Sequence, residues 1–157
     1  MSTVICNTPS CLIPKELFKE EKIQEYWNAL YAMPLHHESI VKDELEDFFL
    51  IYPSPKDIDS MHEISFMYEK IQEDPPNQPH VICMNVHDTG LNVLALKDQH
   101  IVYTGYFQYA VKEDVLYHLT NIFRQFFDND AQVAFFYQQL PPAILRLLNN
   151  YYEMKKL

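Results

Sequence analysis

Residues 81–107 contain three short runs of mostly apolar, β-branched and aromatic residues, separated by two polar breaks. The runs cover residues 81–86, 91–96 and 101–107, and the breaks fall at 88–90 and 97–100. Strand-forming runs joined by short turn-forming segments predict a three-stranded antiparallel meander. In the middle run both alternating sets of side chains are mainly apolar, so we expect both faces of the sheet to be covered and a helix to pack against it.

A helix is predicted after the meander, over residues 112–128. Its apolar positions follow one helical face, and they are Val115, Leu116, Leu119, Ile122, Phe123, Phe126 and Phe127. The positions expected on the solvated side are Thr120, Asn121, Arg124 and Gln125. A buried strand is expected at 132–137. A last helix should open at Pro141-Pro142, include Tyr152 and end near Lys155 and Lys156. The second half is therefore predicted as β-β-β-α-β-α.

The first half is predicted as a strand, a helix, two strands and a second helix. A short apolar run at 3–6 fits an edge strand. Pro14 is expected at the first position of the first helix, whose apolar stripe starts at Ile23. The two strands are expected at 38–44 and 48–52, and the second helix at 56–72.

A polar segment with three prolines, residues 73–79, separates the two halves. Such a segment can neither continue a helix nor join a sheet interior. We therefore predict an N-terminal lobe at 1–74 and a C-terminal lobe at 80–157.

Composition limits the classes of function. The net charge is −10, which argues against nucleic acid and against an anionic membrane surface as partners. No apolar run approaches the roughly 20 residues of a membrane helix, and the first residues lack the features of a signal peptide. The expected location is the cytoplasm.

The cysteines and histidines show no spacing that is typical of a metal site. The three cysteines form no CxxC pair and are expected to be buried free thiols. The seven histidines are scattered without an HExxH motif, and the pair His36-His37 is expected in a solvated loop. No metal, cofactor or catalytic residue is assigned.

Three stretches carry a resemblance to a known family. They are Leu12-Ile13-Pro14-Lys15-Glu16-Leu17-Phe18 with Glu21, Lys22 and Tyr26, the strand at 101–107 running into Tyr109, and Glu113-Asp114-Val115-Leu116-Tyr117-His118-Leu119. Together they resemble an uncharacterised family of Bacteroidetes proteins, a domain of unknown function assigned an actin-like ATPase fold. The predicted order of the second half agrees, because a meander followed by a helical crossover to a further strand is typical of a ribonuclease-H-like half-domain.

The resemblance implies two lobes of mixed α/β, or α+β, architecture. It also implies a strand hairpin ahead of the segment that begins at Leu12, where this sequence has only the run at 3–6. The first lobe is therefore expected to be incomplete, through truncation or natural shortening.

The triplet Asp88-Thr89-Gly90 is the candidate site. In actin-like ATPases, as the resemblance implies, a hairpin of each lobe holds phosphate, and glycines let backbone N–H groups approach the anion. The triplet occupies the matching turn of the second lobe, but Leu91 follows it and the chain has only two glycines. An ordinary hairpin turn explains Asp and Gly equally. A D-T-G triplet is also the catalytic turn of aspartic proteases, which need two such carboxylates and a nearly all-β fold.

We therefore expect a noncatalytic interaction or scaffold protein, with a protein partner or a homo-oligomer as its assembly. A degenerate ATP-binding protein that uses Asp88, Thr89 and Gly90 is the first alternative, and an aspartic protease is the second. The apolar positions Leu147 and Tyr151 and the unpaired sheet edge of the first lobe have two interpretations. Either they are buried between the lobes, or they are open and pair with a partner strand or a second copy.

Overall fold

A computed structural model describes residues 2–32, 35, 38–88 and 90–157. The pair His36-His37 and residue Thr89 lie outside this part, so the predicted solvated loop is not described. The chain divides into two compact units, Met1–Phe66 and Met67–Leu157. The lobe limits expected from the sequence stay a prediction.

The first unit contains five strands and the start of a second helix. The elements are β1 Val4–Cys6, β2 Cys11–Pro14, α1 Ile23–Leu30, β3 Glu38–Leu45, β4 Phe48–Pro55, β5 Ser60–His62 and α2 Glu63–Glu73, with short 3-10 turns at Lys15–Leu17 and Glu20–Lys22. β2, β4 and β3 form an antiparallel sheet in that order, and β1 pairs in parallel with β5. The predicted strands β1, β3 and β4 are confirmed.

Pro14 is the last residue of a strand and does not open a helix, so that prediction is wrong. Residues Cys11–Pro14 pair with β4, with Ile13 opposite Phe49. β2 is an edge strand. Edge strands tolerate proline because its missing N–H group can face the open side of the sheet, where no neighbouring strand accepts a hydrogen bond. The helix begins at Ile23, where the apolar stripe begins, and Trp27 is completely buried.

The second helix starts at Glu63, seven residues later than predicted from Lys56. Asp57 has a φ of 60°, a left-handed conformation that cannot continue a helix. Residues Ser60–His62 instead form β5. The apolar pattern read at 56–62 is therefore not helical.

The second unit is built on one sheet of five strands. Its elements are β6 His80–Val86, β7 Gly90–Lys97, β8 His100–Gln108, α3 Lys112–Phe126, β9 Val133–Tyr137, α4 Pro142–Leu148 and β10 Met154–Lys156. The strand order is β10-β9-β6-β7-β8, antiparallel within β6, β7 and β8, and parallel from β6 through β9 to β10. The predicted meander and the helical connection to a further strand are confirmed, and that strand, β9, lies beside β6.

Both faces of the meander are covered, as predicted. All of β7 except Lys97 is buried. On one face Val115, Leu119 and Ile122 of α3 join the core formed by the meander. On the other face the Cys83 Sγ lies 3.3 Å from the Met67 Sδ of α2.

The C-terminal region differs from the prediction. The last helix ends at Leu148, and Lys155 and Lys156 lie in β10, which pairs with β9. Tyr152 follows the helix and packs on Phe135 with ring centroids 4.4 Å apart. Thr120, expected on the solvated side of α3, is half-buried, and its Oγ1 lies 3.0 Å from the hydroxyl of Tyr152. β10 is thus a fifth strand of this sheet, which the sequence pattern did not predict.

Candidate functional site

The candidate turn joins β6 to β7. Val86 pairs with Leu91, and the His87 N–H donates to the Gly90 carbonyl over 2.8 Å. The Asp88 side chain is exposed. Thr89 lies outside the described residues. The hairpin thus presents one exposed carboxylate at its tip.

Gly90 makes room for an aromatic ring. A Cβ at this position would lie 2.6 Å from Cζ and 2.8 Å from Cε2 of Tyr106. The side of Gly90 where a side chain would project is therefore filled by the ring of Tyr106.

A second tyrosine fixes the strand that enters the turn. The Tyr109 hydroxyl donates to the carbonyl of His87. Burial, and secondarily the negative charge of Asp88, raise the pKa of Tyr109 above its usual range. Tyr109 is therefore a neutral hydrogen-bond donor at physiological pH, and it supports the backbone at the turn.

A partly buried polar cluster in the first unit is a site that the sequence patterns did not reveal. The Asp43 carboxylate accepts hydrogen bonds from the Tyr52 hydroxyl at 2.8 Å, the His62 N–H at 2.8 Å and the Ser65 hydroxyl at 2.6 Å. Beside it, the Ser54 hydroxyl donates to the Ser60 Oγ over 2.7 Å. We call these residues, together with Cys6, the Asp43 cluster.

His62 links this cluster to the start of α2. The Ile64 N–H donates to His62 Nδ1 over 3.1 Å, and His62 Nε2 lies 2.7 Å from the carbonyl of Thr8. An amide N–H can only donate and a carbonyl can only accept, so these contacts assign a neutral ring with its proton on Nε2. The imidazole therefore caps the helix and has no ring nitrogen left for catalysis.

The remaining groups of the cluster are also chemically quiet. Burial raises the pKa of the Cys6 thiol, which keeps it protonated and a poor nucleophile. Burial also raises the pKa of Tyr52. The residues around Ser60 and Ser65 could have indicated a helix start there, because Ser and Asp are common at helix N-termini. The contacts of Asp43 with residues far along the chain had no local signal.

A cleft of about 540 Å³ lies in the second unit beside the end of α2 and β10. Its lining includes Lys70, Glu73, Phe136, Lys155 and Lys156. Lys70 pairs with Glu73 over 2.8 Å, so part of its charge is compensated locally. The cleft mixes both signs of charge and does not define one class of ligand.

Within residues 2–32, 35, 38–88 and 90–157, no three His, Cys, Asp or Glu side chains are grouped as a metal site requires. None of the helices in this part of the chain combines the length and the apolar character that crossing a bilayer requires.

The fold defines the class of protein. The chain is similar to a crystal structure from Bacteroides thetaiotaomicron VPI-5482, described as a protein with actin-like ATPase fold and unknown function. The TM-score is 0.77 at 13% identity, and the match covers 99% of this chain and 66% of that chain. The likeness shows a mixed α/β, actin-like ATPase fold, and the chain spans about two thirds of the length of that relative.

Sequence comparison then gives the family. Residues 2–138 match the family described as Protein of unknown function (DUF3822), and the chain belongs to it. The expected family of uncharacterised proteins with an actin-like ATPase fold is thereby confirmed. A comparison with curated proteins finds no match.

Proposed function

We propose that this chain is a noncatalytic interaction or scaffold protein that keeps the actin-like fold without its nucleotide chemistry. The observation that carries the proposal is the packing of Tyr106 against Gly90. A phosphate site needs backbone N–H groups that an anion can approach closely, and glycine serves this need by leaving space. Here a ring of the protein itself occupies the space beside Gly90.

The first unit supports the same proposal. Its five strands are divided between an antiparallel sheet of three and a parallel pair, whereas the five strands of the second unit form one sheet. We take this difference to reflect an incomplete first lobe, with the lobes divided near residues 74–80. The half-buried carboxylate of Asp43 in this unit already accepts three hydrogen bonds from the protein. It is therefore poorly suited to orient magnesium or water.

A degenerate ATP-binding protein is the second candidate. The exposed carboxylate of Asp88 at the tip of the β6–β7 hairpin favours it, because that position is open to a hydrated magnesium ion. In this alternative Asp88, Thr89 and Gly90 would contact the nucleotide. The protein would bind magnesium-ATP without positioning a water for attack.

Isothermal titration calorimetry with magnesium-ATP separates the two candidates. For the noncatalytic protein we expect no measurable heat of binding and no phosphate release, since one closed hairpin offers too few donors to an anion. Asp88→Ala should then behave like the parent chain. Asp130→Ala, which removes another exposed carboxylate in the same unit, is the matched control.

Micromolar binding that disappears in Asp88→Ala and persists in Asp130→Ala would overturn the proposal. That result would identify the β6–β7 hairpin as a nucleotide site and establish the second candidate.

A further inference from the structure

The edge of the five-stranded sheet at β8 lacks the features that normally prevent strands from pairing between molecules. Among the described strands, β8 has one neighbour, β7. It is nine residues long and contains no Asp, Glu, Lys, Arg or Pro. Charged residues and prolines are the usual protection of exposed sheet edges, because they oppose the approach of another strand.

The other described edges are protected. β10 has three residues, of which two are lysines, and β2 has four residues and ends in Pro14. β3 is eight residues long but includes Glu38, Lys42, Asp43 and Glu44. β1 and β5 have three residues each. The described sheets thus leave one long edge without charge or proline.

We propose that β8 pairs antiparallel with β8 of a second copy of this chain, joining two five-stranded sheets into one continuous sheet. The inference rests on the proposed interaction role and names its partner. The absence of charge on β8 fits a second copy in particular. A net charge of −10 on each molecule would oppose association wherever like-charged side chains meet, and none meet along this strand.

Symmetry restricts how the two strands can align. In an antiparallel pair, residues directly opposite direct their backbone groups the same way, and this direction alternates along each strand. A twofold axis must therefore place one residue opposite the same residue of the other copy, and it cannot place a residue opposite its sequence neighbour. The pairing of β7 with β8 is irregular between Ala95 and Leu96, which places the regular part of β8 from Tyr103 onward. An axis centred on residues 103–107 places Gly105 opposite Gly105 of the other copy.

This alignment brings compatible side chains together. Tyr103 lies opposite Phe107 of the other copy, and Thr104 opposite Tyr106. Aromatic pairs and pairs of aromatic with β-branched residues are among the favourable cross-strand contacts. Gly105 meets itself at the axis, and in each copy the ring of Tyr103 fills the side of Gly105 where a side chain would project.

The face of β8 beside α3 is already a row of rings. Tyr103 lies 5.2 Å from Phe126, and Phe107 lies 4.2 Å from His118, measured between ring centroids. Tyr103 and Phe107 are themselves 6.5 Å apart and stacked. These residues are half-buried in the single chain. Pairing would continue the row across the axis and bury the remaining ring surface.

Sedimentation equilibrium over a tenfold concentration range tests the inference. We expect the parent chain to reach a dimer mass. Thr104→Lys and Thr104→Glu each place two like charges diagonally across the axis, and each should raise the dimer dissociation constant about fivefold. An equimolar mixture of the two variants should restore dimerisation. Tyr151→Lys, at an apolar position that is 64% exposed on another surface, is the control and should leave the mass unchanged.

A strictly monomeric parent chain would overturn the inference, as would a dimer whose dissociation constant is unchanged in both Thr104 variants or that is abolished by Tyr151→Lys. If a Thr104 variant does not fold, hydrogen exchange of the parent chain decides. The amides within residues 103–107 that point away from β7 should lose protection on dilution, and unchanged protection of these amides in a dissociating dimer would refute pairing at β8. A chain that does not pair through β8 would leave the proposed noncatalytic function intact. Magnesium-ATP binding that depends on Asp88 would refute the proposed function and not the pairing at β8.

Discussion

Leu119→Ala tests whether α3 packs its apolar face on the meander. Leu119 is completely buried in the core shared with β6 and β7. Truncation removes three carbon atoms and leaves a cavity, so the free energy of unfolding should fall by about 2–5 kcal/mol. For a chain of this size each kcal/mol lowers the melting temperature by about 2–4 °C. Leu119→Ala should therefore melt roughly 4–20 °C below the parent chain.

Gln125→Ala is the matched control, because Gln125 lies on the same helix with an exposed side chain. Its free energy of unfolding should stay within about 0.5 kcal/mol of the parent value. Urea unfolding followed by circular dichroism measures both variants. Equal losses for the two would show that the buried face of α3 is wrongly assigned. Thr120→Ala is a poor control because the Thr120 hydroxyl lies within hydrogen-bond distance of Tyr152.

Two further predictions concern carboxylates. Asp43→Asn should lower the free energy of unfolding by about 1–3 kcal/mol in urea titrations, because the amide cannot accept all the hydrogen bonds that the carboxylate accepts. Glu44→Gln is the control, because Glu44 is exposed and forms an ion pair with Lys15. A larger loss of stability in Glu44→Gln than in Asp43→Asn would contradict the prediction. The backbone N–H groups of Ala110 and Val111 hold the pKa of Asp114 below its usual value of 3.8. A lowered pKa in the folded state stabilises the fold above pH 4 and loses this effect as the pH falls through the folded-state pKa. Asp114→Asn should therefore be less stable than the parent chain at pH 7 and approach it in acid, as thermal unfolding from pH 7 to pH 2 would measure. A difference that is constant across this pH range would exclude the carboxylate as the cause.

Except for the three-residue strand β1, the elements predicted correctly from the sequence are long and periodic. The three runs of the meander and the stripe of α3 repeat their apolar positions over many residues, so local pattern and tertiary burial agree. β2, β5 and β10 were missed because each has three or four residues, too few to show alternation. Their stability comes from partners distant in sequence, such as Ile51 opposite Cys11.

The candidate site was predictable only in part. Asp and Gly at a short break between two strands indicated the β6–β7 hairpin correctly as a turn position. The contact of Gly90 with Tyr106 could not be foreseen, because the two residues lie on different strands and meet through the sheet register. The Asp43 cluster was missed for the same reason. Its hydrogen-bond partners Tyr52, His62 and Ser65 are 9, 19 and 22 residues away from Asp43 along the chain.

The packing of Tyr106 on Gly90 also links the evolution of these two positions. The Cβ of a larger residue at position 90 would lie 2.6 Å from Cζ of Tyr106. Tyr106 would therefore have to move or be replaced by a smaller residue first. A smaller residue at position 106 would uncover the backbone of Gly90 and leave an apolar gap. Substitutions at the two positions are therefore expected to occur together in descendants of this chain. The glycine can therefore persist through a lineage because of its neighbour alone, without any contribution to ligand binding.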